Sequence, residues 1–162
     1  MTFVVPFDGS ELAAAALVRA LEYGRALGEE VVAVSVVPER KRYAVEKGWI
    51  DDDEPFDPER IVADLRERVR ELAPEASFEA ERIREFPPED RLATHIERLV
   101  LEHDPGVVFL GSDNVGRVVT PLTSVGVHLA AEDAYDVFVV RHPSPPTVAG
   151  IEPHEAFYET EE

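Results

Sequence analysis

Cysteine is absent from the 162 residues. Its absence removes a disulfide framework, thiolate zinc sites, cysteine-ligated iron–sulfur clusters and cysteine nucleophiles together. Oxygen and imidazole chemistry remains. Lysine is almost missing too: Lys41 and Lys47 are the two in the chain, and every other basic side chain is an arginine. Positive charge is scarce altogether, 16 Lys and Arg against 34 Asp and Glu, for a formal net charge of −18. A surface of that sign repels a polyphosphate backbone and argues against nucleic acid as a partner. Many acids with few lysines fit a halophilic composition, in which high salt screens the self-repulsion. Long apolar runs are also lacking. No stretch approaches the roughly 18 residues of a membrane helix, and Met1–Pro6 shows no basic segment leading into one. The expectation is a soluble, cytoplasmic chain without membrane insertion.

What is present suffices for one ordinary domain. Apolar residues make up 44% of the sequence, and a chain near this size buries roughly 70% of its unfolded surface. Thr2 to Phe7 is a short β-branched run, followed by the turn Asp8-Gly9-Ser10 and an Ala/Leu-rich stretch from Glu11 to Leu27. Ala13, Ala14, Leu17, Ala20, Leu21 and Gly24 recur there at helical spacing, so one face packs on a sheet while Glu11, Arg19 and Glu22 are expected to stay wet. Gly28 ends the helix. Val31 to Val37 is nearly continuous apolar sequence, the mark of a strand covered on both faces. Pro38 to Pro58 reads as a long loop with at most a helical turn.

Asp57-Pro58-Glu59 opens a second helix with a cap, a proline at the first position and an acid, and Ile61, Leu65, Val69 and Leu72 form its apolar stripe. Phe78 to Ile83 alternates as an edge strand does. A third helix starts at Pro87-Pro88-Glu89-Asp90, with Leu92, His95 or Ile96, Leu99 and Val100 facing inward, and Asp104-Pro105-Gly106 ends it. Val107 to Leu110 is a buried strand, Thr120-Pro121 opens a helix through Leu122, Val125 and Leu129, and Val137 to Val140 is a fifth strand. This β-α-β-α-β-α-β-α-β order predicts an α/β fold, a five-stranded doubly wound parallel sheet with helices on both faces. The domain is expected to span residues 1–142. Residues 143–162, Pro-rich and then acidic, read as a mostly extended C-terminal tail, the alternative being an element docked through Phe157 and Tyr158 into a groove of this chain or of a partner.

In open parallel sheets, ligands gather beyond the carboxyl ends of strands, where helix N-termini offer N–H groups and partial positive charge. Two segments fall there. Asp8, after the first strand, suits a ribose hydroxyl or an adenine amine; equally, Asp8 and Ser10 are common helix caps. Gly111-Ser112-Asp113-Asn114-Val115-Gly116-Arg117 follows the fourth strand, with Thr123 and Ser124 just beyond. Small residues there let backbone N–H groups approach a phosphate. A plain turn with a cap at Thr120 is the competing reading.

From about Thr2 to Arg141 the sequence resembles the universal stress protein family. Val4-Val5-Pro6-Phe7-Asp8-Gly9-Ser10 is similar to the family's opening strand and turn, Val31 to Val37 to its second strand, and Val137-Phe138-Val139-Val140-Arg141 to its last. Gly111-Ser112 and Ser124-Val125 match the two ends of the glycine loop of nucleotide-binding members. The resemblance implies an adenine-nucleotide site, for ATP or AMP, formed by Asp8, Val36, Gly111, Ser112, Gly116, Ser124 and Val125. It also implies a homodimer paired through Val137, Phe138, Val139 and Val140, and a stress-response binding or signalling module rather than an enzyme. The loop departs from the family pattern at Asn114 and Thr123, which stand where glycines belong. A β-branched Thr tolerates the left-handed backbone poorly. The alternative is therefore a dimeric interaction protein of the same fold that binds no nucleotide.

Other chemistry finds no anchor in the sequence. There is no Walker loop and no G-x-G-x-x-G after the first strand. His95, His103, His128, His142 and His154 are scattered and read as surface or helix-end residues, with no metal-ligand spacing. Asp51-Asp52-Asp53-Glu54 lacks the pattern of a calcium loop, and Ser10, Ser112 and Ser124 have no His-plus-acid partners.

Overall fold

The computed structural model describes residues 1–84, 89–111, 135–144 and 146–160. Five strands, β1 (Thr2–Pro6), β2 (Glu30–Pro38), β3 (Ser77–Ile83), β4 (Pro105–Gly111) and β5 (Asp136–Val140), form one sheet in the order β3-β2-β1-β4-β5. Every neighbouring pair is parallel. Between and after them run α1 (Glu11–Leu27), α2 (Lys41–Glu46), α3 (Pro58–Leu72), α4 (Glu89–Leu101) and α5 (Glu155–Thr160). The helix expected from Thr120 lies outside the described residues.

Alternation along each strand splits the core in two, because successive side chains point to opposite faces. Phe3, Val5, Val31, Ala33, Val37 and Phe109 pack under α1 and α3. Val4, Val32, Val34, Val36, Val108 and Leu110 pack with Leu92, Ala93, Leu99 and Val100 of α4 on the other side. That is why β2 is buried from Val31 onward and reads as a continuous apolar run. On the α1 side the Phe109 ring stacks on Phe138 at 5.1 Å between centroids, and the edge of Tyr23 meets both.

Local signals behave as their chemistry dictates. Asp57 caps α3 by accepting the Glu59 N–H, with Pro58 at the first turn. The predicted stripe Ile61, Leu65, Val69 and Leu72 is buried. Gly28, at φ +70, closes α1 in the left-handed conformation and donates its N–H to the Gly24 carbonyl. β3 sits at the sheet edge, as its alternation predicted.

The outer face of α1 departs from expectation. Arg19 and Glu22, expected to be wet, are 4% and 2% exposed. The C-terminal segment, expected to be mostly extended, covers them. Arg19 Nη2 donates to the Pro146 carbonyl at 2.6 Å. The His154 N–H donates to Glu22 Oε2 at 2.8 Å. His154 Nε2 lies 2.8 Å from the Leu72 carbonyl of α3, an acceptor, so Nε2 carries the proton there. Phe157 on α5 is buried in the core shared by α1 and α3. His154, half-buried and directly ahead of α5, is a helix-end residue as expected and also docks the segment. Helical periodicity reports the face turned to the sheet; the opposite face of α1 is covered by chain arriving more than a hundred residues later.

Candidate functional site

Strand order reverses at β1. The chain runs outward to β2 and β3 on one side, then returns to add β4 and β5 on the other. Such a switch point opens a crevice at the carboxyl ends of the central strands. Asp8, Gly9 and Ser10 follow β1 there, Gly111 closes β4, and Val36 lies buried near the end of β2. Gly111 meets α1 directly: a Cβ on it would sit 2.7 Å from the carbonyl carbon of Leu12 and 2.9 Å from the amide of Ala13. The structure therefore brings Asp8, Val36 and Gly111 to one end of the sheet. Ser112, Gly116, Ser124 and Val125, with Asn114 and Thr123, lie outside the described residues.

The turn after β1 is built by local chemistry. Gly9, at φ +83, takes a conformation that side-chain-bearing residues rarely adopt. Ser10 is the N-cap of α1; its Oγ accepts the Ala13 N–H at 3.2 Å. Asp8 is not the cap. Its Oδ1 accepts the Ser10 N–H at 3.0 Å, closing an Asx turn. The Phe7 N–H donates to the Val34 carbonyl at 2.8 Å, and the Ser35 hydroxyl donates to the Phe7 carbonyl. The turn is thereby tied to β2.

The other carboxylate oxygen of Asp8 belongs to a segment that the sequence left as loop. Lys47 Nζ donates to Asp8 Oδ2 at 2.9 Å, and Trp49 Nε1 donates to the Asp8 carbonyl at 2.7 Å. Gly48, at φ +76, turns the chain between them. Lys47 and Trp49 are anchored on α2 by backbone bonds to the carbonyls of Tyr43 and Ala44. Tyr43 and Trp49 meet edge to face at 5.6 Å. Two signals in the sequence point to this clasp: it carries one of two lysines and the single tryptophan of the chain.

Burial pushes the Asp8 carboxyl up, but the Lys47 charge, the Lys47 hydrogen bond and the Ser10 N–H outweigh it, and the group titrates below its ordinary value of 3.8. A carboxyl depressed on folding adds stability above its unfolded pKa, and that contribution is lost as pH falls through the folded value. In Lys47→Met, burial loses its main opponent. The Asp8 titration followed by carboxyl-carbon NMR should then move upward; an unmoved midpoint would show that Lys47 does not hold it.

Among the described residues, no group of three His, Asp or Glu is arranged to hold a metal ion, and no helix is long and apolar enough to cross a membrane.

The family model described as Universal stress protein family matches residues 1–141. Among curated proteins none matches. Of the solved structures, a universal stress protein in complex with cAMP is 17% identical, with a TM-score of 0.55 over 87% of this chain and 97% of its own. A universal stress protein from Archaeoglobus fulgidus is 20% identical, with a TM-score of 0.55 over 87% of this chain and 93% of its own. The structure of the universal stress protein from Archaeoglobus fulgidus in complex with dAMP is 18% identical, with a TM-score of 0.51 over 86% and 96%. At these identities the likeness is one of fold.

Proposed function

Since this chain belongs to the universal stress protein family, we propose that it is a stress-response binding or signalling module, not a turnover enzyme, and that it holds an adenine nucleotide, AMP or ATP, at the switch point. The observation that carries this reading is Asp8, an acid placed at the carboxyl end of β1, one strand from the end of β4. An ionised carboxylate accepts from the vicinal hydroxyls of a ribose. Val36 stands beside the base in this reading, and Gly111, Ser112, Gly116, Ser124 and Val125 take the phosphates. The cAMP and dAMP held by the similar proteins lend it support.

Among the described residues β5 ends the sheet opposite β3, and an outer strand edge of N–H and C=O groups favours pairing with another strand. We assign it to a second copy, joined through Val137, Phe138, Val139 and Val140.

A second reading has its own observation: Lys47 already occupies Asp8 Oδ2, and Asn114 and Thr123 stand in glycine positions of the phosphate loop. It makes the chain an interaction protein of the same fold without a nucleotide. Isothermal titration with AMP and with ATP at high salt separates the two. Under the first reading, binding saturates, and Asp8→Ala weakens it by about tenfold or more, the loss of a hydrogen bond to a charged group. An absence of saturable binding to either nucleotide leaves the second. Sedimentation of the same samples should give twice the 18.0 kDa chain mass; a monomer across salt concentrations removes the β5 assignment.

A further inference from the structure

Positive charge is distributed unevenly in this acidic chain. Arg40, Lys41, Arg42 and Lys47 place four of the 16 cations within eight residues, both lysines among them, directly after β2. Arg40, Lys41 and Arg42 are exposed. Lys47 is led to the Asp8 turn. Its backbone is held by the Tyr43 carbonyl, Gly48 bends the chain behind it, and Trp49 pins the segment to the Asp8 carbonyl. The side chains of Asp8 and Lys47 are 19% and 26% exposed, so the pair, at the turn after β1, is partly open to solvent.

Resting on the nucleotide reading above, we propose that Lys47 is the residue by which this site selects a phosphorylated adenine ribonucleoside over the bare nucleoside. A carboxylate and an ammonium 2.9 Å apart present an acceptor and a cationic donor side by side. Their complement is a molecule with a hydroxyl donor next to an anion, and a ribose phosphate has both. A phosphate brought beside Asp8 in a chain of net charge −18 meets repulsion unless a cation stands with it. Lys47 supplies that cation on a flexible stem, able to turn from the Asp8 carboxylate toward a phosphate oxygen while its backbone stays fixed. Bare adenosine uses the carboxylate and gains nothing from the ammonium.

The test measures dissociation constants for adenosine and for AMP by isothermal titration on the full chain, as wild type, Lys47→Met and Lys47→Arg. Wild type should prefer AMP by about tenfold or more, the effect of one charge-assisted contact. Lys47→Met should reduce that preference to about threefold or less with adenosine binding retained, and Lys47→Arg should keep most of it. A preference unchanged in Lys47→Met, or absent from the wild type, overturns the assignment while leaving the nucleotide site in place. Should Lys47→Met bind neither ligand, Lys47→Arg decides: AMP preference kept supports the role of the charge, and preference lost overturns it. If wild type binds neither adenosine nor AMP, the nucleotide reading itself fails and takes this inference with it.

Discussion

Replacing Glu22 with alanine should destabilise the protein by about 3–5 kcal/mol, the usual cost of removing one partner from a buried ion pair. The Glu22 carboxylate does two jobs. Its Oε1 lies 3.5 Å from Arg19 Nη1, and its Oε2 accepts the His154 N–H. Alanine leaves the guanidinium under the C-terminal segment without its counter-charge and the His154 amide without its acceptor, in a place water does not reach easily. The pair is weak evidence for stability as such, because desolvating two charges costs about as much as their attraction returns. Its removal as a whole is therefore the informative control: Arg19→Met with Glu22→Leu should recover the share of the loss that comes from the unpaired guanidinium, while the His154 amide still lacks its acceptor. Urea denaturation gives the free energies, and limited proteolysis between Pro146 and Phe157 gives a local readout. Faster cleavage there in Glu22→Ala is expected, because Glu22 and Arg19 are what the segment is bonded to on α1. A Glu22→Ala protein within about 1 kcal/mol of wild type, with cleavage unchanged, would mean that the Glu22 contacts do not hold the covering segment.

Gly111→Ala should cost about 2–3 kcal/mol, in the upper range for a group forced into a packed core. The added methyl would lie 2.7 and 2.8 Å from the carbonyl carbon and oxygen of Leu12 and 2.9 Å from the Ala13 amide. These are backbone atoms in the first turn of α1, held by the Ser10 cap, and have no rotamer into which to retreat. Gly106→Ala is the control, since a methyl there meets the flexible side chain of Met1. A loss well under 1 kcal/mol is expected for it. Thermal and urea unfolding of the two variants decide. Equal stability would show that α1 shifts freely and that Gly111 is not set by its approach to the helix. The clash also assigns Gly111 a structural reason that stands whether or not a phosphate ever comes near it.

The architecture was legible because local chemistry prescribes it. Strands covered on both faces must be apolar throughout, so Val31 to Val37 and Val107 to Leu110 declare themselves. A helix must satisfy its first N–H groups, so Asp57-Pro58 and Ser10 announce their helices. The alternation of these elements leaves a parallel sheet as the arrangement that buries both kinds of apolar face. Asp8 was singled out by the same reasoning, as the acid following the first strand.

What tertiary structure alone decided are the contacts between residues far apart in the chain. Lys47 lies 39 positions from Asp8, Pro146 lies 127 from Arg19, and His154 lies 132 from Glu22. Periodicity records which side of an element is apolar, and a charged residue looks the same to it in water or under a later segment. Arg19 and Glu22 therefore read as solvent-facing, and Lys47 read as one charge in a loop. Whether a charge finds its partner depends on the route of the backbone through space, set by the packing of the whole sheet and its helices.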